Sequence, residues 1–316
     1  MSVYTELTPD DVRAILKDYD LGELTRLEGI ADGIENSNFF LDTTRGRYVL
    51  TVFERMNAEE LPYFMALMRH LAGHGLPCPD VMTRRDGSAL FVTHGGSGHR
   101  KWGCIISRLA GRTRTRLNMA QLRASGQAQA ALHLAGADFP LRRENPTDFE
   151  WLCKTVDVVR EGVKARYGVE ALALLEDELA WQREQDFSHL PAGVIHGDLF
   201  VDNILFEGDA VSGIIDFYYA HDAPYAMDLA IALNAQAMEL GEEDAARMQA
   251  LIEGYQAMRR LTDAELAALP ALLRRAALRF WVSRLYDAIY PREGAMTQVK
   301  DPEEYRRKLA LHRSAK

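Results

Sequence analysis

Apolar and polar positions divide the chain into two stretches of different texture. Up to about residue 107, short β-branched and aromatic runs are broken by Gly and Asp; beyond it, Ala- and Leu-rich positions recur at helical spacing. Thr8-Pro9-Asp10-Asp11 predicts a helix start, with Thr8 as N-cap, Pro9 in the first turn and the acids at the positive end of the helix dipole. Val12, Ile15 and Leu16 give that helix its apolar stripe. Residues 27–30 and 37–41 read as strands of a hairpin with a polar tip at 31–36, and residues 48–53 as a buried strand. Residues 59–71 carry Leu61, Phe64, Met65, Met68 and Leu71 at helical spacing, ended by Gly73 and Gly75. Residues 90–93 and 104–107 complete an antiparallel sheet.

From Asn118 onward helical patterns dominate, notably over 225–240, 243–258 and 263–289. They are interrupted by a small β island at 194–196, 203–206 and 211–215, whose last two runs are joined by Glu207-Gly208-Asp209-Ala210. The expected class is therefore α+β and bilobal: an antiparallel-sheet N-lobe over 1–107, a mainly helical C-lobe over 108–316 with an embedded hairpin, and a cleft between them. No internal repeat or low-complexity tract interrupts this plan.

A chain of 316 residues with 47% hydrophobic and 26% charged residues can bury its cores without metal or disulfide staples. With 37 Lys+Arg against 46 Asp+Glu, the net charge is −9, opposite to the basic surplus of a phosphate-backbone binder, so a nucleic-acid partner is not expected. Cys78, Cys104 and Cys153 form neither a disulfide framework nor a zinc motif. The acidic N-terminus shows no signal pattern and no run reaches membrane length, so no membrane partner is expected and the setting read from the sequence is cytoplasmic. A small-molecule enzyme is the class left open.

The strongest chemical signal is His196-Gly197-Asp198-Leu199-Phe200-Val201-Asp202-Asn203, followed by the hairpin and then Asp216. Asp198 falls in a short loop after a strand, Asn203 returns five residues later, and the out-and-back hairpin delivers Asp216 beside it. A carboxylate plus an amide oxygen is the partial, oxygen-only ligand set that Mg²⁺ takes when nucleotide phosphates and water supply the rest. The remaining carboxylate, Asp198, can accept a hydrogen bond from a substrate hydroxyl and aim it at a γ-phosphate.

At these residues the chain resembles the aminoglycoside-phosphotransferase-like kinases, relatives of protein kinases whose catalytic loop reads H-x-D-x-x-x-x-N with a later metal Asp. His196, Asp198, Asn203 and Asp216 match, and the resemblance implies a structural, loop-bracing role for His196. The likeness narrows elsewhere. Gly33 to Phe40 followed by Tyr48 to Glu54, Leu76-Pro77-Cys78-Pro79, Ile215 to Tyr219, Asp228 to Asn234 and Arg279 to Leu285 are similar to bacterial homoserine kinases of this fold. That resemblance implies transfer of the ATP γ-phosphate to L-homoserine, giving O-phospho-L-homoserine in threonine biosynthesis, with ATP and Mg²⁺. The catalytic loop alone also fits kinases of aminoglycosides, choline or methylthioribose, and an ATP-binding regulatory module is the non-enzymatic reading.

The resemblance implies that Gly33, Asn36, Ser37 and Asn38 bind phosphate oxygens and that Thr51 occupies the third-strand place where kinases carry a lysine. No lysine lies between Lys17 and Lys101. Glu59 and Glu60 therefore read as helix-start acids, and Arg55 is an alternative cation. Ser107 and Leu109 are the expected adenine-binding backbone positions. For the acceptor, Asp228 either lines the pocket or caps the helix that begins there, and Tyr218 lies in the same loop. Arg279 and Arg284 are the candidate carboxylate ligands, with Asp287 an alternative partner for Arg284 one turn on. Arg112, Arg114 and Arg116 read as a solvated basic face, and Phe280, Trp281 and Leu285 as core.

Overall fold

The computed structural model describes residues 5–30, 36–94, 98–291 and 300–314. Among them the chain divides into two compact units, one ending at Ala110 and the other beginning at Gly111 and including residues 300–314.

In the first unit, Thr8 and Asp11 form a reciprocal capping box that starts α1 (Pro9–Leu16). Five antiparallel strands follow: β1 (Leu24–Gly29), β2 (Asn36–Thr43), β3 (Arg47–Phe53), β4 (Leu90–Thr93) and β5 (Lys101–Ser107), in the spatial order β1-β2-β3-β5-β4. Strand alternation sends Phe39, Leu41, Leu50, Val52, Phe91 and Ile105 to one face, where they pack with Leu7, Val12, Leu16, Tyr19 and Leu21. Helix α2 (Leu61–Gly73) buries Leu61, Phe64, Met65, Met68 and Leu71. It begins two residues later than the apolar spacing predicts, so Glu59 and Glu60 precede its first turn, and the Glu60 side chain makes no cap bond.

The second unit contains α3 (Met119–Ala135), α4 (Phe149–Tyr167), α5 (Val169–Arg183), α6 (Tyr225–Ala232), α7 (Asp244–Met258), α8 (Asp263–Ile289) and α9 (Pro302–Ser314). Embedded in it are two antiparallel pairs: β6 (Ala192–Ile195) with β9 (His221–Pro224), and β7 (Ile204–Glu207) with β8 (Ala210–Ile214). Strand β9 is four residues ending in proline, too short for its pattern to distinguish it from loop in the sequence. The helix expected over 225–240 instead changes from α to a π-helical turn at Leu233–Ala237. Helices α3 and α7 touch backbone to backbone: a Cβ on Gly126 would lie 2.1 Å from Leu251 O, and one on Gly254 2.0 Å from Arg123 O. This close approach fixes α3, which carries a stripe of buried polar residues at every fourth position, Gln121, Ser125, Gln129 and His133.

Helix α9 docks through buried polar contacts. Lys308 Nζ donates to Asn234 O at 2.7 Å and His312 Nε2 donates to Asn234 Oδ1 at 2.6 Å, while Asn234 Nδ2 donates to Leu273 O at 2.9 Å. Burial and the nearby charges of Lys308 and Arg274 lower the His312 pKa from 6.5 to about 4. The folded chain thus favours the neutral ring, so this contribution is complete above pH 6.5 and is lost as pH falls toward 4. Thermal unfolding followed from pH 7.5 to 4.5 is expected to show a decline in Tm that is shallower in His312→Gln than in the parent chain; parallel declines would remove His312 from that role.

Candidate active site

The β6 strand ends at Ile195, and the next three residues turn sharply. Gly197 takes φ +76°, and a Cβ there would stand 2.9 Å from Tyr219 O and from His221 Cε1, so conformation and space both demand glycine. His196 is fully buried; its Nε2 donates to Ile215 O at 2.9 Å and its Nδ1 accepts from Asp198 N–H at 3.3 Å. The ring lies 5.0 Å from that of Phe217. His196 thus ties the Asp198 loop to the segment leading into Asp216.

Asn203 closes the loop through the 3-10 turn Val201–Asn203. Its Nδ2 donates to Asp198 O at 2.8 Å and approaches Asp198 Oδ2 at 3.4 Å, which leaves Oδ1 as the atom able to serve a cation. Asn203 O accepts from Ile215 N–H at 3.0 Å, extending the β7–β8 pairing so that Asp216 follows directly beside Asn203. Asp216 adopts φ 64° and ψ 61°, a left-handed conformation uncommon for a non-glycine residue and a form of local strain concentrated at functional sites. An amide oxygen and a carboxylate on adjacent backbone, with no nitrogen or sulfur ligand, suit a hard divalent cation. Desolvation in this loop pushes the Asp198 carboxyl above its ordinary range, against the opposing charges of Arg279, His196 and Lys300.

Asp228 neither lines a pocket nor caps α6. Its side chain is 0% exposed, and its carboxylate accepts from Gly197 N–H at 2.8 Å, His196 N–H at 3.2 Å, His133 Nε2 at 2.9 Å and Gln129 Nε2 at 3.1 Å. Burial opposes its charge, but the His133 bond and charge, with the loop amides, hold its carboxyl well below the usual range. His133 Nδ1 in turn meets Tyr255 Oη at 2.7 Å.

Both expected carboxylate ligands are likewise engaged inside the protein. Arg279 donates to Thr147 Oγ1 at 2.9 Å and Gly197 O at 2.8 Å, bracing the loop from the side opposite its amides. Arg284 donates to Asp301 O at 2.9 Å and Glu304 Oε2 at 2.7 Å, on the α9 side. Tyr218 is half-buried in the turn Phe217–Tyr219 that follows Asp216. Phe280, Trp281 and Leu285 are buried, as their pattern predicts.

In the first unit, Gly33 lies outside the described residues. Ser37 is buried and its side chain is engaged away from a phosphate: its Oγ donates to Glu54 Oε1 at 2.5 Å and accepts from Thr5 N–H at 2.9 Å. Lys101 joins the same cluster, contacting Glu54 and donating to Thr5 Oγ1 at 2.7 Å. Register places Ser37, Val52, Glu54 and Lys101 on the α1-covered face, whereas Asn38 and Thr51 share the other face, where Thr51 Oγ1 donates to Asn38 Oδ1 at 2.8 Å. Asn36 is buried at the start of β2. Arg55 is exposed just beyond β3. Ser107 N–H donates to Asp80 O at 2.8 Å and its Oγ accepts from Asp80 N–H at 2.9 Å, which leaves its carbonyl as the backbone group for adenine; Leu109 is half-buried.

Two groups were missed from the sequence. Phe40, Val49 and Ile106 stand in register on the Thr51 face and remain partly exposed, an apolar surface suited to a flat base. Gln129 and His133 were passed over inside an Ala-rich helix, although their spacing of four with Gln121 and Ser125 is a readable signal of a buried polar face.

A model of the phosphotransferase enzyme family matches residues 26–261. The chain is similar to the homoserine kinase of Methylorubrum populi, 44% identical over 324 aligned residues that cover 100% of this chain and 97% of that protein. Among solved structures, a microcompartment-associated aminopropanol kinase matches with TM-score 0.71 at 17% identity, over 97% of this chain and 94% of that one. An aminoglycoside phosphotransferase from Alicyclobacillus acidocaldarius matches with TM-score 0.68 at 18% identity, over 98% and 94% of the two chains. These likenesses give the fold as that of the aminoglycoside-phosphotransferase-like kinases, an α+β fold.

Removing one partner from a buried, charged hydrogen-bond centre leaves the others unsatisfied, at about 3–5 kcal/mol. Asp228→Asn is expected to lose stability of that order in urea unfolding, and to lose turnover even where it remains folded. A variant as stable as the parent would contradict the bracing role.

Proposed function

The chain belongs to the phosphotransferase enzyme family, and from that premise we propose that it transfers the γ-phosphate of ATP to the hydroxyl of L-homoserine, forming O-phospho-L-homoserine in threonine biosynthesis. The observation that carries this reading is the likeness to a homoserine kinase along the entire chain, joined to an Asp198–Asn203–Asp216 set held on one short backbone stretch. The reaction belongs with cytoplasmic ATP, and we place the protein there.

Asp198 accepts the proton of the acceptor hydroxyl as that oxygen bonds to the γ-phosphorus and the bond to the β–γ bridging oxygen breaks, releasing ADP. Its raised proton affinity strengthens it as a base. Asn203 and Asp216 are the residues that would hold Mg²⁺, which when bound offsets the charge of the β- and γ-phosphates. His196, Arg279 and Asp228 hold the loop so that Asp198 needs little rearrangement to meet the hydroxyl. Phe40, Val49 and Ile106 are assigned to the base, with the backbone around Leu109; Asn36, Asn38 and Thr51 lie toward the polyphosphate end of the same sheet. Tyr218, beside Asp216, is assigned to the acceptor.

Asp198→Asn is expected to lower kcat for L-homoserine by about 10²–10⁴-fold. A raised folded-state pKa means that the charged carboxylate weakens the fold above that pKa, so the neutral variant should keep or increase Tm at pH 7. The parent kcat should fall as pH drops through a value above the ordinary 3.8. ADP release measured with Mg-ATP and L-homoserine, choline, methylthioribose or an aminoglycoside decides the acceptor: a preference for any but homoserine overturns the substrate assignment, and no turnover with all four overturns the enzymatic one.

A further inference from the structure

Homoserine carries a carboxylate for which the expected arginines are poorly placed: among the described residues, three of the cations around the Asp198 loop are buried and already bonded within the protein. Arg279, Arg284 and Lys308 are buried. Arg279 bonds to Thr147 and Gly197, Arg284 to Asp301 and Glu304, and Lys308 to Asn234 and Glu304. Replacing any of these contacts with a ligand would leave buried carbonyls or a carboxylate without donors.

Lys300 differs in each respect. Its side chain is 46% exposed and its ammonium stands 5.0 Å from the ring centroid of Phe200, two residues beyond Asp198. Its ion-pair partner is Asp202 at 3.3 Å, which is itself 64% exposed and lies in the same turn. A pair this exposed contributes little and exchanges readily. Phe200 packs edge-on against Phe280 at 4.8 Å and lies 6.3 Å from Tyr305, so the surface under the ammonium is a fixed aromatic wall. Lys300 is also near enough for its charge to act on Asp198. In an extended homoserine, the carboxylate carbon lies about 5 Å from the reactive hydroxyl, three C–C bonds away. A mobile, compact cation beside the base suits that separation.

We propose that Lys300 is the specificity-determining residue that receives the acceptor carboxylate, exchanging Asp202 for it when homoserine binds. This rests on the homoserine reading above. Steady-state kinetics of Lys300→Met and Lys300→Arg test it. The Met variant should raise KM for L-homoserine at least tenfold, with kcat within about threefold and KM for Mg-ATP unchanged, because a charge-assisted bond to the ground state is lost. The Arg variant should recover most of the loss. The preference in kcat/KM for L-homoserine over 3-aminopropan-1-ol, the same acceptor without its carboxylate, should fall at least tenfold in Lys300→Met. An unchanged KM for homoserine, or an equal loss toward both acceptors, overturns the proposal. So does a joint fall of kcat and ATP affinity in both variants, which would mark Lys300 as a packing residue. Failure of the parent enzyme to phosphorylate homoserine would instead overturn the function.

Discussion

A single buried carboxylate organises the second unit. Asp228 gathers two backbone amides of the His196–Gly197 turn and two side chains of α3, and it does so with no exposure to solvent. An isolated charge at such depth would be prohibitive. Four donors make it an anchor, and they also make the catalytic turn inseparable from the helix behind it. On the other side of the turn, Arg279 takes the carbonyl of Gly197, so the two peptide groups that flank this one glycine are gripped by opposite charges. The turn that presents Asp198 is therefore held by long-range electrostatics more than by its own backbone preference, which Gly197 makes permissive.

The distribution of positive charge follows a related logic. Where many kinases place a lysine on the third strand, this chain has Thr51, hydrogen-bonded to Asn38. Lys101 does not replace it, because the two-residue period of the sheet turns it toward α1 and Glu54. Cations instead accumulate around the Asp198 turn, where Arg279, Arg284, Lys300 and Lys308 border the aromatic rings of Phe200, Phe280 and Tyr305. An acceptor with a negative group finds its counter-charge on that side.

Much of this was legible from residue order, and the failures share a cause. The Thr8 N-cap, the strand runs of β2 and β3, and the loop-hairpin-Asp216 sequence are local patterns, and each appears where the spacing predicts it. Periodicity reports whether a side chain is buried, not what it meets. Asp228, Arg279 and Arg284 were expected at the substrate because a charged residue near a catalytic motif invites that reading; their partners lie 17 to 132 positions away in the chain. Strand β9 escaped because four residues closed by a proline carry too little pattern, and the π-helical turn because five residues of one helical run give no sign of a change in pitch.

The polar stripe of α3 carries one more implication. Gln121 bonds to the turn at Gly208, Ser125 to Gln236, and Gln129 and His133 to Asp228, so one helix acts as a ruler against which the hairpin, the π-helical turn and the catalytic loop are all set. Each residue along a helix advances by about 100°. An insertion or deletion of one residue inside α3 would swing every later mark away from its target at once, whereas single substitutions disturb one mark at a time. Descendants of this sequence are thus free to vary the length of their surface loops while the length of α3 stays locked.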